Sequence, residues 1–362
     1  FLVTVIITFI SMKFEQIMPS ATTMADATLP TVAMDTEAGT QYNALHGYTS
    51  ELDSTLFYGN ITPVAKDRKL TVTINTYGED IEGVAYKIRS LEDKSLIENT
   101  EVSDYDNAGS SINVTFNIKN LLDTGKEYAL EIVLKTKKHE AVYYYTRIVY
   151  GVDYDLQKKL DFVMDFNACT FDDSRLKDIA GYLETSSSGD NTNYGKVNIN
   201  CSLSQVGWGD LDPYVESDIM PEVISVDDDV AILRLSYRVG AANDYSSSDT
   251  YTVSEYYRIR QTNSGFYLLN FEREMNQVFD ARNDLTSTAK INLGINSSTD
   301  VNCASDEKGI YTYFVNQGSL WCFNSSSQTF TRVFSFKGEE TDSVREGYDA
   351  HNIKIMKIED NG

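Results

Sequence analysis

Carboxylates dominate the side chains of this sequence that could do chemistry. Of its 362 residues 54 are Asp or Glu and 31 are Lys or Arg, for a formal charge of −23, and only His46, His139 and His351 carry imidazole. Glycoside hydrolysis uses two carboxylates held about 5 Å or about 6.5–9.5 Å apart across a cleft. So many acids cannot be narrowed to such a pair by spacing alone. Asp227-Asp228-Asp229 lacks the D-x-D-x-D-G spacing of a calcium loop and reads as a charged turn feeding the next strand. Asp210 and Asp212 would chelate from a loop but share a solvent face in a strand. Glu255 is the most informative acid. It falls in phase with Val253, Tyr257 and Ile259, a face that reads as inward. A buried carboxylate needs a partner or a raised pKa. Two readings stand: Glu255 and Tyr257 line a ligand pocket, or Glu255 pairs with an arginine such as Arg234 or Arg273 and is structural. No catalytic residue, metal ligand or cofactor site is assigned, because G-x-S-x-G, Gly-rich phosphate loops and C-x-x-C pairs are missing from the sequence.

The cysteines, Cys169, Cys201, Cys303 and Cys322, read by default as small buried apolar residues. Cys303 and Cys322 would be bridged only if they faced each other across neighbouring strands. The acidic balance argues against a nucleic-acid partner and against adhesion to anionic headgroups, both of which need Lys and Arg patches. It suits a solvated, self-repelling surface.

These side chains need elements to position them, and the elements begin with Phe1–Ile10. That run is apolar, rich in β-branched residues and uncharged until Lys13. A bilayer-spanning helix needs about 20 apolar residues. Residues 1–27 are therefore expected to be a truncated transmembrane helix and linker. A secretory signal is the alternative, but the bulky Ser11–Met18 stretch lacks a small-residue cleavage site. The bulk of the chain is expected outside the cytoplasm.

From 28 to 152, after a lead-in with turns at His46-Gly47 and Tyr58-Gly59-Asn60, strands alternate with period two. Leu70/Val72/Ile74, Val84/Tyr86/Ile88, Ile112/Val114/Phe116/Ile118 and Tyr128/Leu130/Ile132/Leu134 give one face each. A last strand, Ala141–Tyr150, carries Tyr143, Tyr144 and Tyr145, which read as packing residues. From 153 to 281 the period changes. A helix capped by Asp153 or Asp155 carries Leu156, Leu160 and Val163, and a second runs from about Ser174 to Glu184. Strands follow around Glu222–Val226, Val230–Val239, Tyr251–Gln261 and Gly265–Glu272, the last two joined by a hairpin turn at Thr262–Gly265. From 282 to 362 short strands at Gly309–Val315, Ser319–Phe323 and Thr329–Phe336 form a meander, with Trp321 in its middle strand. A further strand is expected at Asn352–Ile358, before the hairpin signal Asn361-Gly362.

Leu121-Leu-Asp-Thr-Gly125-Lys-Glu-Tyr128 resembles the L-x-x-G-x-x-Y signature of fibronectin type III and related immunoglobulin-like sandwiches. That resemblance implies a structural Tyr128, its hydroxyl bonded to nearby backbone, after a turn at Gly125. The order of helices and long strands over Asp153–Asp280 resembles the NTF2-like α+β fold, which often encloses a pocket. The Trp321 meander resembles a β-propeller blade, which makes Trp321 structural and the last segment an incomplete propeller. The whole arrangement resembles a family of membrane-anchored extracytoplasmic proteins of anaerobic Gram-positive bacteria. That likeness rests on Leu29-Pro-Thr-Val-Ala-Met-Asp-Thr-Glu, Leu45-His-Gly-Tyr-Thr, Glu255-Tyr-Tyr-Arg-Ile-Arg, Tyr267–Phe279 and Leu320-Trp-Cys-Phe-Asn. The expectation is a multidomain, mainly β protein of the cell envelope. It would be single-pass and non-catalytic, and it would bind or scaffold an envelope protein or glycan. A surface hydrolase acting on envelope polysaccharide and a small-molecule sensor using the α+β pocket are the alternatives.

Overall fold

The computed structural model describes residues 22–23 and 27–358, apart from 106–108, 152–153, 243–248, 282–285, 288–289, 292, 294–301, 337–343 and 349–350. Phe1–Ile10, and with it the expected anchor, lies outside the described residues, as does Asn361-Gly362. No helix among the described residues is long and apolar enough to cross a membrane.

The chain is mainly β, built from antiparallel sheets. The first strand among the described residues, β1 (Thr22–Thr23), belongs to the sheet described last below. Two sheets follow. One has β2 (Thr31–Asp35), β3 (Gln41–His46), β5 (Lys69–Asn75) and β8 (Ser111–Asn117) in the order β3-β2-β5-β8. The other has β4 (Ile61–Val64), β6 (Ile81–Ser90), β7 (Leu96–Val102), β9 (Glu127–Thr136) and β10 (Val142–Tyr150) in the order β4-β10-β9-β6-β7. Alternation dictates the packing. Leu70, Val72 and Ile74 of β5 stand opposite Phe116, Val114 and Ile112 of β8, and all are buried. Tyr86 of the other sheet stacks on Phe116 with ring centroids 4.8 Å apart, so the two inner faces meet in one core. Each such Val, Leu or Ile, once buried, contributes roughly 1.5–3 kcal/mol.

The turn before β9 is pinned as its residues dictate. Gly125 takes φ +75°, and its N–H donates to the Tyr150 carbonyl at 2.8 Å. The buried Tyr128 hydroxyl accepts the Asp123 N–H at 2.9 Å. Tyr144 donates to the Pro30 carbonyl and Tyr145 accepts the Leu52 N–H, so these tyrosines pack and tie down the lead-in rather than form an exposed ladder. That lead-in contains β2, β3 and β4, for which the sequence predicts no strand. β2 is buried on both faces over Thr31–Met34, so it lacks the alternation that marks a half-buried strand.

The second unit opens with helix α1 (Leu156–Thr170), preceded by Asp155 at φ +48°, whose carboxylate accepts from Lys158 and Gln261 rather than capping the helix. The second expected helix is a 3-10 turn over Leu176–Tyr182. Gly181 weakens an α-helix there by about 1 kcal/mol relative to Ala. Leu183 also turns extended, so that the Glu184 N–H can reach the Ile199 carbonyl. A six-stranded sheet follows: β11 (Lys196–Asn198), β12 (Tyr214–Val215), β13 (Glu222–Val226), β14 (Val230–Ala241), β15 (Asp249–Thr262) and β16 (Gly265–Gln277), with a short helix α2 (Leu203–Val206) after β11. Its order is β11-β16-β15-β14-β12, with β13 also paired to β14. Thr262 pairs with Gly265 around the two-residue turn that the sequence predicts. Helix α1 lies on the inner face, where Phe166 meets Tyr257 and Phe271 at 5.7 and 5.4 Å between ring centroids.

The last sheet holds β19 (Cys303–Ser305), β20 (Tyr311–Asn316), β21 (Ser319–Asn324) and β22 (Thr329–Ser335), with β1 laid parallel on β22. A separate two-stranded ladder pairs β17 (Thr286–Ser287) with β18 (Lys290–Ile291). Phe279, Phe314, Phe323 and Phe330 form the core of the last sheet, and Trp321 packs on Phe279 at 4.8 Å. Two expectations are corrected here. Cys169 and Cys201 are buried as the default reading has it, but Cys303 is exposed and Cys322 half-buried on the strands of the small last sheet. β20 separates β19 from β21, so those two are not on neighbouring strands, and all four cysteines are free. Asn352–Ile358 is not a strand. Instead the Asn302 amide holds the backbone of Ile353 and Ile355 at 2.5 and 3.2 Å.

One hydrophobic cluster runs without a break from the two-sheet unit into the second unit. Asn43 is the polar latch across that junction. It is fully buried in the left-handed region at φ +50°, and it donates to the Ile61 carbonyl and to Thr62 Oγ1. Its carbonyl side accepts the Val223 N–H at 2.7 Å, and its own N–H donates to Pro221 at 2.9 Å.

Candidate functional site

The sheet of the second unit has two faces of opposite chemistry, set by register. On the inner face the rows are Leu233–Tyr257–Phe271, Leu235–Glu255–Arg273 and Tyr237–Val253–Met275, read across β14, β15 and β16. All nine are buried. Glu255 is therefore inward and fully enclosed. Its Oε2 accepts from Asn167 of α1 at 2.8 Å and from the Tyr257 hydroxyl at 2.6 Å, and its Oε1 accepts from Tyr237 at 3.0 Å. Arg273 Nη1 lies 3.8 Å from the same Oε1. The guanidinium donates to the Val206 and Gln205 carbonyls at 2.9 and 3.1 Å and lies 3.4 Å over the Trp208 ring. The indole N–H reaches Thr170 Oγ1 at 3.2 Å.

The electrostatics follow from burial. Loss of water pushes the Tyr237 and Tyr257 hydroxyls well above the usual phenol range, and the Glu255 charge adds to it. Burial pulls the Arg273 guanidinium down, and Glu255 opposes that. Each carboxylate oxygen is occupied by donors of this chain. The partner is Arg273, while Arg234 is turned to Glu222 on the opposite face. Glu255 and Tyr257 thus sit together inside a closed network, with no exposed surface.

The outer face carries a second grid, in the rows Arg234–Tyr256–Glu272, Ser236–Ser254–Glu274 and Arg238–Thr252–Asn276. A cleft of about 560 Å³ runs over it, walled at one end by His46 of β3 and by Gln317 and Tyr348 from the last part of the chain. A second depression of about 440 Å³ continues over Tyr256, Asn270 and Glu272, and the two share Arg234, Ser254 and Glu274. Both arginines that line the cleft are matched, Arg234 with Glu222 and Arg238 with Glu216 at 3.8 Å, and Lys196 beside it lies 3.7 and 3.6 Å from Glu272 and Glu274. Arg258, one row beyond Tyr256, is exposed on the same face. On the far side of His46 and Tyr348 an aromatic groove of about 600 Å³ is lined by Tyr48, Phe336, Arg345 and His351, among others. His46 Nε2 and the Val344 carbonyl, 2.7 Å apart, hold the two sides together.

The acidic turn has a structural partner. The carbonyls of Asp227 and Asp228 accept from Lys159 Nζ at 2.7 and 2.9 Å, and burial lowers the lysine pKa. Asp210 accepts from Tyr194 at 3.2 Å. Sequence reasoning found the buried acid and missed the outer cleft. Ser236, Ser254 and Glu274 become neighbours only through strand register, so no local pattern marks them. No protein-family model matches this chain, and no curated protein is similar to it in sequence.

Proposed function

We propose that this chain is a non-catalytic binding or scaffolding protein of the bacterial cell envelope, anchored by the Phe1–Ile10 run and displayed outside the cytoplasm. The observation that carries the reading is the outer cleft. It is open and lined by polar and apolar groups alike, and its walls come from the two-sheet unit, the second unit and the last part of the chain. Ligand sites favour such junctions. The buried acid of the second unit is committed to Arg273, two tyrosines and Asn167, which suits a fixed scaffold. Within this reading the Asp123–Tyr128 bond supports an immunoglobulin- or fibronectin-like first unit. The helix lying on long antiparallel strands supports an NTF2-like second unit. The β19–β22 meander supports a propeller-like blade.

Surface display is tested by fractionating cells and treating intact ones with protease. Recovery in the membrane fraction with digestion from outside is expected, and a protected chain in the cytoplasmic fraction would overturn the proposal. Incubation with envelope polysaccharide separates binding from hydrolysis. Retention without release of reducing ends is expected, whereas release abolished by E274Q would identify a hydrolase.

A further inference from the structure

We infer that the outer trough of the β14–β15–β16 sheet binds a neutral, linear oligosaccharide. The inference rests on the reading of the chain as a displayed binding protein for the source of the ligand, and on the geometry for its class.

Shape comes first. The two depressions share three side chains and follow one another along the strands, from the Arg238–Thr252–Asn276 row to Tyr256 and Asn270, which suits a chain of sugar units better than a single one. The middle row is its floor: Ser236 stands opposite Ser254, and Ser254 opposite Glu274. Ser254, shared by both depressions, keeps the floor low where they meet.

Charge comes second. The two arginines that line the trough, Arg234 and Arg238, each already have a carboxylate of this chain beside them, as does Lys196 next to it. An anion seated on the trough's own arginines would have to break one of these pairs, and the chain's net charge of −23 repels an anion further. What the trough offers freely is hydroxyls and amides, and the hydroxyls of Ser236 and Ser254 and the side-chain amides of Asn276 and Gln317 are not hydrogen-bonded within the described residues.

Backbone comes third. An extended peptide gains affinity by adding a strand to a free sheet edge. This trough lies on a face. β15 is paired on both sides, β16 lies between β15 and β11, and β14 lies between β15 and the strands β12 and β13. A peptide here would find no backbone partners, whereas a polyol brings its own donors and acceptors. Tyr348 at the His46 end supplies a ring for a sugar face.

The test is titration of the full chain, by calorimetry, with neutral oligomers of glucose, mannose and N-acetylglucosamine. A galacturonate oligomer and a Ser/Ala peptide are the competing ligands. At least one neutral oligomer is expected to bind, and its monosaccharide to bind at least about tenfold more weakly. S254I fills the floor with a β-branched side chain that carries no hydroxyl. It should lower affinity at least about tenfold, about 1.4 kcal/mol, with the circular dichroism melt unchanged. S236V is the second variant should S254I fail to fold. The inference is overturned if every neutral oligomer fails to bind the folded chain, if binding survives both variants, or if only the uronate or the peptide binds. A chain that is exposed on cells yet ignores every saccharide would sink this inference and leave surface display standing.

Discussion

At the scale of single residues, the buried Glu255–Arg273 pair decides most. Removing one member of such a pair strands the other charge and typically costs about 3–5 kcal/mol, whereas replacing both with apolar groups is often near neutral. E255Q is therefore expected to lower the urea-derived unfolding free energy by about 3 kcal/mol. The double variant E255L/R273M should recover most of that loss. The tyrosines around the pair set an alkaline limit. Tyr237 and Tyr257 have folded pKa values raised well above the unfolded one, and burial pushes Tyr145 up to about 12. A raised folded value means the contribution is whole below about pH 10, where free tyrosine starts to ionise, and is lost as pH climbs toward the folded values. Urea midpoints measured against pH should fall above about pH 10, and Y257F should flatten that fall. The inward position of Glu255 was legible in the sequence, because a strand's faces alternate and Val253, Tyr257 and Ile259 fix the phase. Its partner was narrowed only to Arg234 or Arg273, since the choice depends on which face each neighbouring strand turns inward.

At the scale of elements, turns and latches carry the testable content. Y128F removes the acceptor for the Asp123 N–H and should cost about 1 kcal/mol, the usual net value of one hydrogen bond. Asn43 is a harder case. N43G keeps the φ of +50° free of strain but leaves the Val223 N–H unpaired at the junction of two units. A loss of about 2–4 kcal/mol is expected, together with faster hydrogen exchange at Val223. Strands with one wetter face, such as β6 and β8, could be read from period two. β2 could not, because both its faces are covered, and β3 and β4 are short strands within turn-rich lead-in sequence. The expected strand at Asn352–Ile358 kept its alternating burial without a ladder, since Asn302 satisfies its backbone instead. The outer trough belongs to this scale too, and its invisibility in the sequence is the invisibility of register.

At the scale of the whole molecule, two cores of unequal size share the chain. One continuous cluster runs through the first two units, while the last sheet rests on a small aromatic core around Phe279 and Phe314. The smaller core buries less apolar surface and should open first. The two tryptophans report the two cores separately, Trp208 in the large one and Trp321 against the small one. Fluorescence of the wild type in urea is expected to show an early step that disappears in W321F. Mainly β architecture was legible from composition and alternation. The continuity of the first two units was not, because Asn43 and β13 are brought together by chain far apart in sequence.

The strand Thr22–Thr23 lies parallel on Phe334–Ser335. On the ribosome those two residues emerge long before their partners exist. They must wait, uncommitted, while both earlier units fold beside them. Pairings between distant parts of a chain form slowly, since loop closure is paid before any contact rewards it. The last sheet is therefore completed by a strand synthesised before either earlier unit. Its assembly can finish only after both earlier units have been made, which makes this strand a natural checkpoint between them and the last sheet.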